Sequence, residues 1–278
     1  MANEVTTTIL GDSTFAAWVT SVILDEVRPY NVMRPFFRYA GPEKSNAYQF
    51  PIQDAPTVAG AYTEGTGLSN AAFTDSKATA TAGPVGQQAT VTDESQETTV
   101  YDAVGQITGV LGRSVGQKWE TDATALTASF SNTTNTAGVP ATYVMMLAAK
   151  NALELRDMRG TTVYVLDPSQ VGQVRQDVGA SGATIFGNDS MDVNGILAAS
   201  LAGYSGFGVA GSPVYQSTTV TATGGAIFVV GEALGLYEIR APKTETIRVP
   251  SLPGLQIDVT TRYGMIEIRD ASGQTILT

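Results

Sequence analysis

The chain has 278 residues, 43% of them hydrophobic, which is enough for one large domain or two modest ones with a real core. Only 15% of the residues are charged and the net charge is -10, so the basic clusters needed for direct binding to nucleic acid are missing. The chain contains no Cys and no His, which excludes disulfides, thiolate zinc sites, and catalysis by thiol or imidazole groups. So low a content of charge is a first indication that partner subunits cover part of the surface.

The N-terminal region predicts a helix followed by an irregular arm. Its first residues lack the basic and apolar stretches of a secretion signal, and apolar runs elsewhere are too short to cross a bilayer, so we expect a soluble protein made in the cytoplasm. A helix is predicted from about Ser13 to Pro29, because apolar residues recur there at helical spacing: Phe15, Trp18, Val19 and Val22. Residues 30–42 are apolar but irregular, and we expect them to lie on another surface.

A long hairpin is predicted next. Segments 47–53 (AYQFPIQ) and 85–93 (VGQQATVTD) have strand character, and Pro51 restricts the first of them to an edge or a bulge. Between them, residues 60–83 are small, polar and rich in Thr, without a periodic apolar face. Two strands around such a segment predict a hairpin that projects from the body. A disordered surface loop is the alternative interpretation.

The longest predicted helix covers about 99–130, where apolar residues recur at steps of three and four. Four glycines repeat at helical spacing along it: Gly105, Gly109, Gly112 and Gly116. They indicate a smooth stripe that another backbone approaches closely. Because each glycine costs up to about 1 kcal/mol relative to Ala, we expect packing rather than intrinsic propensity to hold this helix.

An α/β unit and a series of strands follow. A helix is predicted at 141–157, and its expected apolar face consists of Val144, Leu147, Ala148 and Leu155. The buried strand 161–166 leads into another helix that opens with the spacing of a capping box: Asp167, Pro168 and Gln170. A short helix is predicted near 193–203, and strands from 212 onward, among them separate strands at 234–240 and 245–250. Together the elements predict an α+β chain with two lobes, an arm and a projecting hairpin.

No motif in the chain indicates an active site. GFGVAG, 206–211, has the letters of a dinucleotide fingerprint, but a strand follows it instead of a helix, so a flexible loop is the better interpretation. NDSMDVNG, 188–195, is rich in oxygen ligands, but Leu201 stands where a calcium loop needs a bidentate Glu, which favours a simple turn. Acidic pairs such as Asp93–Glu94 are interpreted as solvated charges. We expect no catalytic residue, no cofactor and no metal.

The order of these parts resembles the major capsid protein of tailed bacteriophages, which has the Hong Kong 97-type fold. YTEGTGL…FTDSKATATAGPVGQQATVTDE is similar to the extended loop of that family, TVYVLDPSQVGQVR to its axial strand and helix, and GGAIFVVGEALGLYEIR and RYGMIEIRD to its returning strands. The resemblance covers nearly the whole chain. It implies five parts: N-terminal arm 1–46, extended loop 47–98, peripheral domain with spine helix 99–140, axial α/β domain 141–235, and returning peripheral strands 236–278.

The resemblance implies a structural protein and not an enzyme. Copies would assemble as pentamers and hexamers into an icosahedral shell that encloses double-stranded DNA without sequence-specific binding. The expected location is the virion, after assembly in the cytoplasm of a bacterial host and without a membrane. The expected partner is the chain itself, and scaffolding, portal and decoration proteins are further candidates. Because the chain begins directly with the arm, we expect no long N-terminal scaffolding region.

The extended loop supplies the predicted contacts between subunits. The candidates are its charged and aromatic side chains: Glu64, Asp75, Lys77, Tyr62 and Phe73. Some members of the family cross-link covalently, from a Lys on this loop to an Asn in the peripheral domain. Lys77 could take the first part, but no Asn occurs after Asn194, so we expect no cross-link. Deleting 63–81 is expected to leave a foldable monomer and to abolish shells.

Two alternatives stay open at this point. An encapsulin is a compartment of the same fold that holds enzymes, and cargo protein in place of DNA would identify it. An enzyme or a surface adhesin of unrelated fold would be a monodisperse monomer at high concentration.

Overall fold

The structure is a computed structural model that describes residues 31–43, 45–53, 64, 75–98, 103–158, 160–180, 204–221, 224–249 and 253–278. Three earlier predictions lie outside these residues: the helix ending at Pro29, the acidic turn at 188–195 and the short helix near 193–203.

Within the described residues the chain forms twelve strands and four α-helices. The strands are β1 (Arg38–Ala40), β2 (Ala47–Gln53), β3 (Asp75–Thr81), β4 (Gly83–Thr92), β5 (Thr133–Thr134), β6 (Thr162–Leu166), β7 (Tyr204–Val209), β8 (Ser212–Gln216), β9 (Gly225–Val229), β10 (Leu234–Val249), β11 (Gly254–Glu267) and β12 (Gly273–Ile276). The helices are α1 (Asp93–Thr98), α2 (Ala103–Thr127), α3 (Tyr143–Leu155) and α4 (Pro168–Ala180).

Two sheets build the body, and a two-stranded hairpin forms a third. The first sheet has the order β1-β10-β11-β4, and the second has the order β5-β12-β9-β6-β8-β7. The hairpin consists of β2 and β3. The predicted boundary at 235 lies within β10, and β12 of the predicted returning strands pairs with β9 of the predicted axial domain. The division into five parts stays a prediction.

Helix α2 packs along the four-stranded sheet. Its Leu111 and Val115 are buried in one cluster with Ile257 and Val259 of β11. Three of the four predicted glycines, at 109, 112 and 116, are buried on the same helix. These glycines are therefore covered by their own chain, where packing offsets the low helix propensity of glycine.

The predicted helix at 99–130 is longer than the observed one. Asp93, expected at the end of a strand, begins the short helix α1, and α2 ends at Thr127. Phe130 lies beyond α2 and is buried with the six-stranded sheet, its ring centroid 6.5 Å from that of Phe228. Phe130 falls at the helical spacing of the apolar residues before it, and for that reason the helix was predicted to include it. It is apolar because it packs in the core, although it lies beyond the end of the helix.

The arm residues 32–37 lie in the core of their own chain. Met33 is fully buried, the ring of Phe36 lies 4.8 Å from that of Tyr215, and the ring of Phe37 lies 5.6 Å from that of Trp119. The expectation that this segment lies on another surface is correct for these residues, and that surface belongs to their own chain.

Helix α3 turns a different face to the core than we predicted. Val144 is 70% exposed and Leu155 is 88% exposed, whereas Met146, Ala149 and Leu153 are buried. Both sets have helical spacing, so periodicity alone does not distinguish them. The six-stranded sheet does, because Tyr164 of β6 donates a hydrogen bond to the Met146 carbonyl oxygen at 2.8 Å.

The capping box that opens α4 is confirmed. The Asp167 side chain accepts a hydrogen bond from the Ser169 N–H at 2.8 Å, and the Gln170 side chain accepts one from the Asp167 N–H at 3.1 Å. These bonds satisfy donors that a helix start otherwise leaves unpaired.

Two strand assignments differ from the prediction. GFGVAG is not a loop, because its first residues belong to β7, which forms a hairpin with β8. The strands expected at 234–240 and 245–250 are one strand, β10, whose register against β11 shifts between Glu238 and Lys243. The irregularity accommodates Pro242, which lacks the N–H of a regular ladder.

Candidate assembly surfaces

The predicted hairpin is present, but its second strand is β3 and not 85–93. Each residue of β2 pairs with one of β3, from Ala47 opposite Thr81 to Gln53 opposite Asp75. The segment 85–93 falls largely in β4, which pairs with β11 in the body. Pro51 lies at an edge, as predicted, because both strands of a two-stranded sheet are edges.

The root of the hairpin is fixed to the body by apolar packing. Phe50 of β2 and Ala80 of β3 are buried in one cluster with Tyr237 of β10. The ring of Tyr48 stacks on that of Tyr237 at 5.6 Å. The Tyr237 hydroxyl also donates to the Ser45 carbonyl oxygen at 2.6 Å, which holds the chain where it enters the hairpin.

The far part of β3 faces solvent. Asp75, Ser76 and Lys77 are exposed, and so is Glu64. No described residue forms a salt bridge with Asp75 or Lys77. Tyr62 and Phe73, the aromatic candidates, lie outside the described residues.

The body also exposes large apolar side chains: Tyr39, Val110, Val139, Val144, Leu155 and Ile247. On α3, Val144, Ala148, Asn151 and Leu155 follow one another at steps of three and four, so they form a single exposed stripe. Exposed apolar surface of this kind is typical of contacts with other chains. The sequence pattern predicted that Val144, Ala148 and Leu155 belong to the apolar face that packs on the core, whereas the structure exposes them.

A cavity of about 460 Å³ lies at the root of the hairpin; it is lined by Arg38, Pro51, Ile52, Gly231, Glu232, Ile268 and Arg269. The guanidinium of Arg38 lies 6.0 Å from the ring centroid of Phe50, a cation–π distance. The described residues contain no group of three or more acidic side chains that could hold a metal ion. No described helix is both long and apolar enough to cross a membrane.

Two buried carboxyl groups flank the arm residues, and sequence analysis missed both. Glu120 of α2 is 2% exposed and accepts a hydrogen bond from the Met33 N–H at 3.2 Å. Burial raises the pKa of Glu120 to about 7. Glu238 of β10 pairs with Arg34 at 2.7 Å. The available signal was the position of Glu120 in the middle of the buried stripe of α2.

Solved phage capsids resemble this structure over most of the chain. The capsid of cyanophage P-SCSP1u aligns with a TM-score of 0.68 and 13% identity, over 88% of this chain and 87% of that chain. The capsid of Ralstonia phage GP4 aligns with a TM-score of 0.68 and 10% identity, over 87% and 86%. A virus-like particle from Pyrococcus furiosus aligns with a TM-score of 0.65 and 10% identity, over 94% and 99%. No family model and no curated protein matches the sequence.

At such low identity the likeness establishes the fold and leaves the individual contacts to be tested. The resemblance drawn from the sequence is confirmed at this level, and the order of arm, hairpin, long helix and returning strands agrees with it. The neighbours named here are structures of phage capsids and of a virus-like particle. The chain has the α+β fold of phage major capsid proteins.

Proposed function

We propose that this chain is the major capsid protein of a tailed phage, and that its copies assemble as pentamers and hexamers into an icosahedral shell around double-stranded DNA. The observation that carries the proposal is the extent of the likeness to the cyanophage capsid, over 88% of this chain and 87% of the other. A net charge of -10 suits a container that encloses DNA without gripping it. Assembly in a bacterial cytoplasm, with scaffolding, portal and decoration proteins as partners, belongs to the same proposal.

The hairpin of each subunit is proposed to extend over the neighbouring subunit and to contact it. Its root is rigid, because Phe50 and Ala80 are buried in the body, and its far part is exposed. Asp75 and Lys77 would form ion pairs with a neighbour. Each exposed pair is worth only about 0–1 kcal/mol, but closed symmetry repeats every contact.

Electron microscopy and sedimentation of the protein expressed alone test the shell. The expected result is closed icosahedral particles. A monodisperse monomer at high concentration would contradict the proposal and favour an unrelated enzyme or adhesin.

The hairpin is better tested by a variant that keeps both of its strands than by the deletion of 63–81. Deleting 63–81 would remove β3 and uncover Phe50, so loss of shells would have two explanations. Gln53 and Asp75 are directly opposite, so a two-residue Asn-Gly turn in place of 54–74 closes a short hairpin and keeps both strands. We expect this variant to unfold at the wild-type urea concentration and to form no shells. Normal shells would refute the role of the hairpin.

The absence of an Asn after Asn194 gives a second test of the hairpin. Lys77 is exposed on β3, but its expected cross-linking partner is missing from the returning strands. Mature particles are therefore expected to run as a single monomer band on a denaturing gel. A ladder of covalent oligomers would contradict this, and Lys77→Arg would show whether the ladder depends on that side chain.

An encapsulin-type compartment is the second candidate, because the Pyrococcus furiosus virus-like particle covers 94% of this chain. The contents of purified particles distinguish the two. Nuclease-protected DNA supports the phage shell, and a stoichiometric cargo protein supports the compartment.

A further inference from the structure

Residues 31–37, called here the anchor segment, join residues 1–30 to the body. Four apolar side chains of this segment are buried in the central core: Val32, Met33, Phe36 and Phe37. The Phe36 carbonyl oxygen also accepts a hydrogen bond from the Gly231 N–H at 3.0 Å. The anchor segment therefore lies between helix α2 and both large sheets, and any opening of it must disturb all three.

Glu120 is the ionisable group that contacts the backbone of the anchor segment. Its Oε2 accepts a hydrogen bond from the Met33 N–H at 3.2 Å, and the Val32 N–H and the Ser217 hydroxyl stabilise the same carboxyl. Its Oε1 is buried without a hydrogen-bond partner. A buried carboxylate with one unsatisfied oxygen is costly, whereas the protonated acid carries no charge to desolvate.

The neighbouring charges do not neutralise this carboxyl, because they are engaged with one another. On the anchor segment, Arg34 pairs with Glu238 of β10 at 2.7 Å. On α2, Lys118 pairs with Asp122 at 2.6 Å, and Asp122 also accepts a hydrogen bond from Tyr263 of β11 at 2.9 Å. No cation among the described residues forms a salt bridge with Glu120.

We propose that Glu120 is a proton-dependent latch on the anchor segment: the protonated carboxyl stabilises the docked segment, and ionisation favours its opening. The reason is that opening gives the carboxylate access to water, which removes the penalty of burial. Ionisation of Glu120 shifts the equilibrium between the docked and the open segment but does not release the segment completely. The four buried apolar side chains favour docking whether Glu120 is protonated or ionised.

The direction and size follow from proton linkage. Burial raises the pKa of Glu120 from its ordinary value of 4.5 to about 7 in the docked state, so the docked state binds the proton more tightly than a carboxyl that opening exposes to water. The stabilisation is fully present below pH 4.5 and is lost as the pH rises through 7. From well below pH 4.5 to well above pH 7, the ratio of docked to open segment falls by up to roughly 300-fold.

Hydrogen exchange of the unassembled protein at about pH 5 and about pH 8 tests the latch. After correction for the intrinsic exchange rate, we expect protection of 31–37 to fall by up to roughly 70-fold between these two pH values in the wild type, relative to α3. In Glu120→Gln, which cannot ionise, the protection should be the same at both pH values. Glu97→Gln, on the exposed side of α1, is the matched control and should follow the wild type.

Equal pH dependence in the wild type and in Glu120→Gln would overturn the latch. Should Glu120→Gln fail to fold, the carboxyl titration of the wild type by carbon-13 NMR decides the matter, because the latch requires a Glu that titrates well above its usual range. Neither measurement needs shells, so failure of the latch and failure of the proposed capsid function are separate outcomes.

Discussion

The contact between Gly264 and the hairpin root yields a prediction whose size follows from distances. Gly264 lies in β11, opposite Tyr237, and a Cβ there would come within 2.3 Å of the Thr81 carbonyl oxygen and within 3.0 Å of the Ala82 nitrogen. The first distance is more than about 1 Å shorter than an ordinary contact, and the second is shorter by about 0.5 Å. The atoms concerned are backbone, and the Ala82 N–H is bonded to the Asn46 carbonyl oxygen at 2.9 Å, so no side-chain rotation relieves the clash. Gly264→Ala must therefore displace the hairpin root.

We expect Gly264→Ala to lower the free energy of unfolding by about 1–3 kcal/mol, the usual cost of overpacking. For a chain of this size that corresponds to a melting temperature lower by roughly 2–10 °C. The matched control is Gly83→Ala, one strand away, where a Cβ meets nothing within 4 Å. Urea unfolding of the unassembled proteins, followed by Trp fluorescence, measures both. If the two variants unfold at the same urea concentration, the steric argument is refuted.

Four further outcomes are expected. Asp167→Ala removes the cap of α4 and should cost about 0.5–2 kcal/mol in urea unfolding; no loss would contradict the capping role. Tyr164→Phe removes the hydrogen bond from the Tyr164 hydroxyl to the Met146 carbonyl oxygen, which keeps its bond within α3, and should cost about 0.5–1.5 kcal/mol; an unchanged midpoint would show that this bond does not contribute to stability. Val144→Ser combined with Leu155→Gln should change the free energy of unfolding by less than about 0.5 kcal/mol but reduce the yield of shells, and an unchanged yield would exclude the α3 stripe as a contact. The free energy of unfolding of Glu120→Gln, measured relative to the wild type with urea, should be higher at about pH 8 than at about pH 5, by up to about 3 kcal/mol. A difference between the two proteins that does not change with pH would contradict the raised pKa.

Local signals in the sequence predicted local structure well. The capping box at Asp167 depends on residues within one helical turn, and the observed bonds confirm it. The buried glycines of α2 were predicted because a period of three and four residues is a property of one helix. The fold was predicted from the order of arm, hairpin, helix and strands along the chain, because each of these parts has a recognisable composition of its own.

Pairings between distant segments were predicted less well. Segment 47–53 was assigned to 85–93, although the residues that pair with it begin at Asp75. Strand character is shared by β3 and β4, and only one residue, Ala82, separates them. Contacts with the rest of the chain determine which strand pairs with β2. Ala80 of β3 packs with Phe50 of β2, whereas β4 pairs with β11 in the four-stranded sheet.

The sequence by itself determined the fold class and the absence of thiol and imidazole chemistry, and from its low charge it predicts partner subunits. Only the tertiary structure decided which face of α3 is buried, which surface the arm covers, and that Glu120 is an acid inside the core. The physical reason is common to all three. Periodicity and composition describe one segment, whereas burial is a property of two surfaces in contact, and the second surface comes from a distant part of the chain.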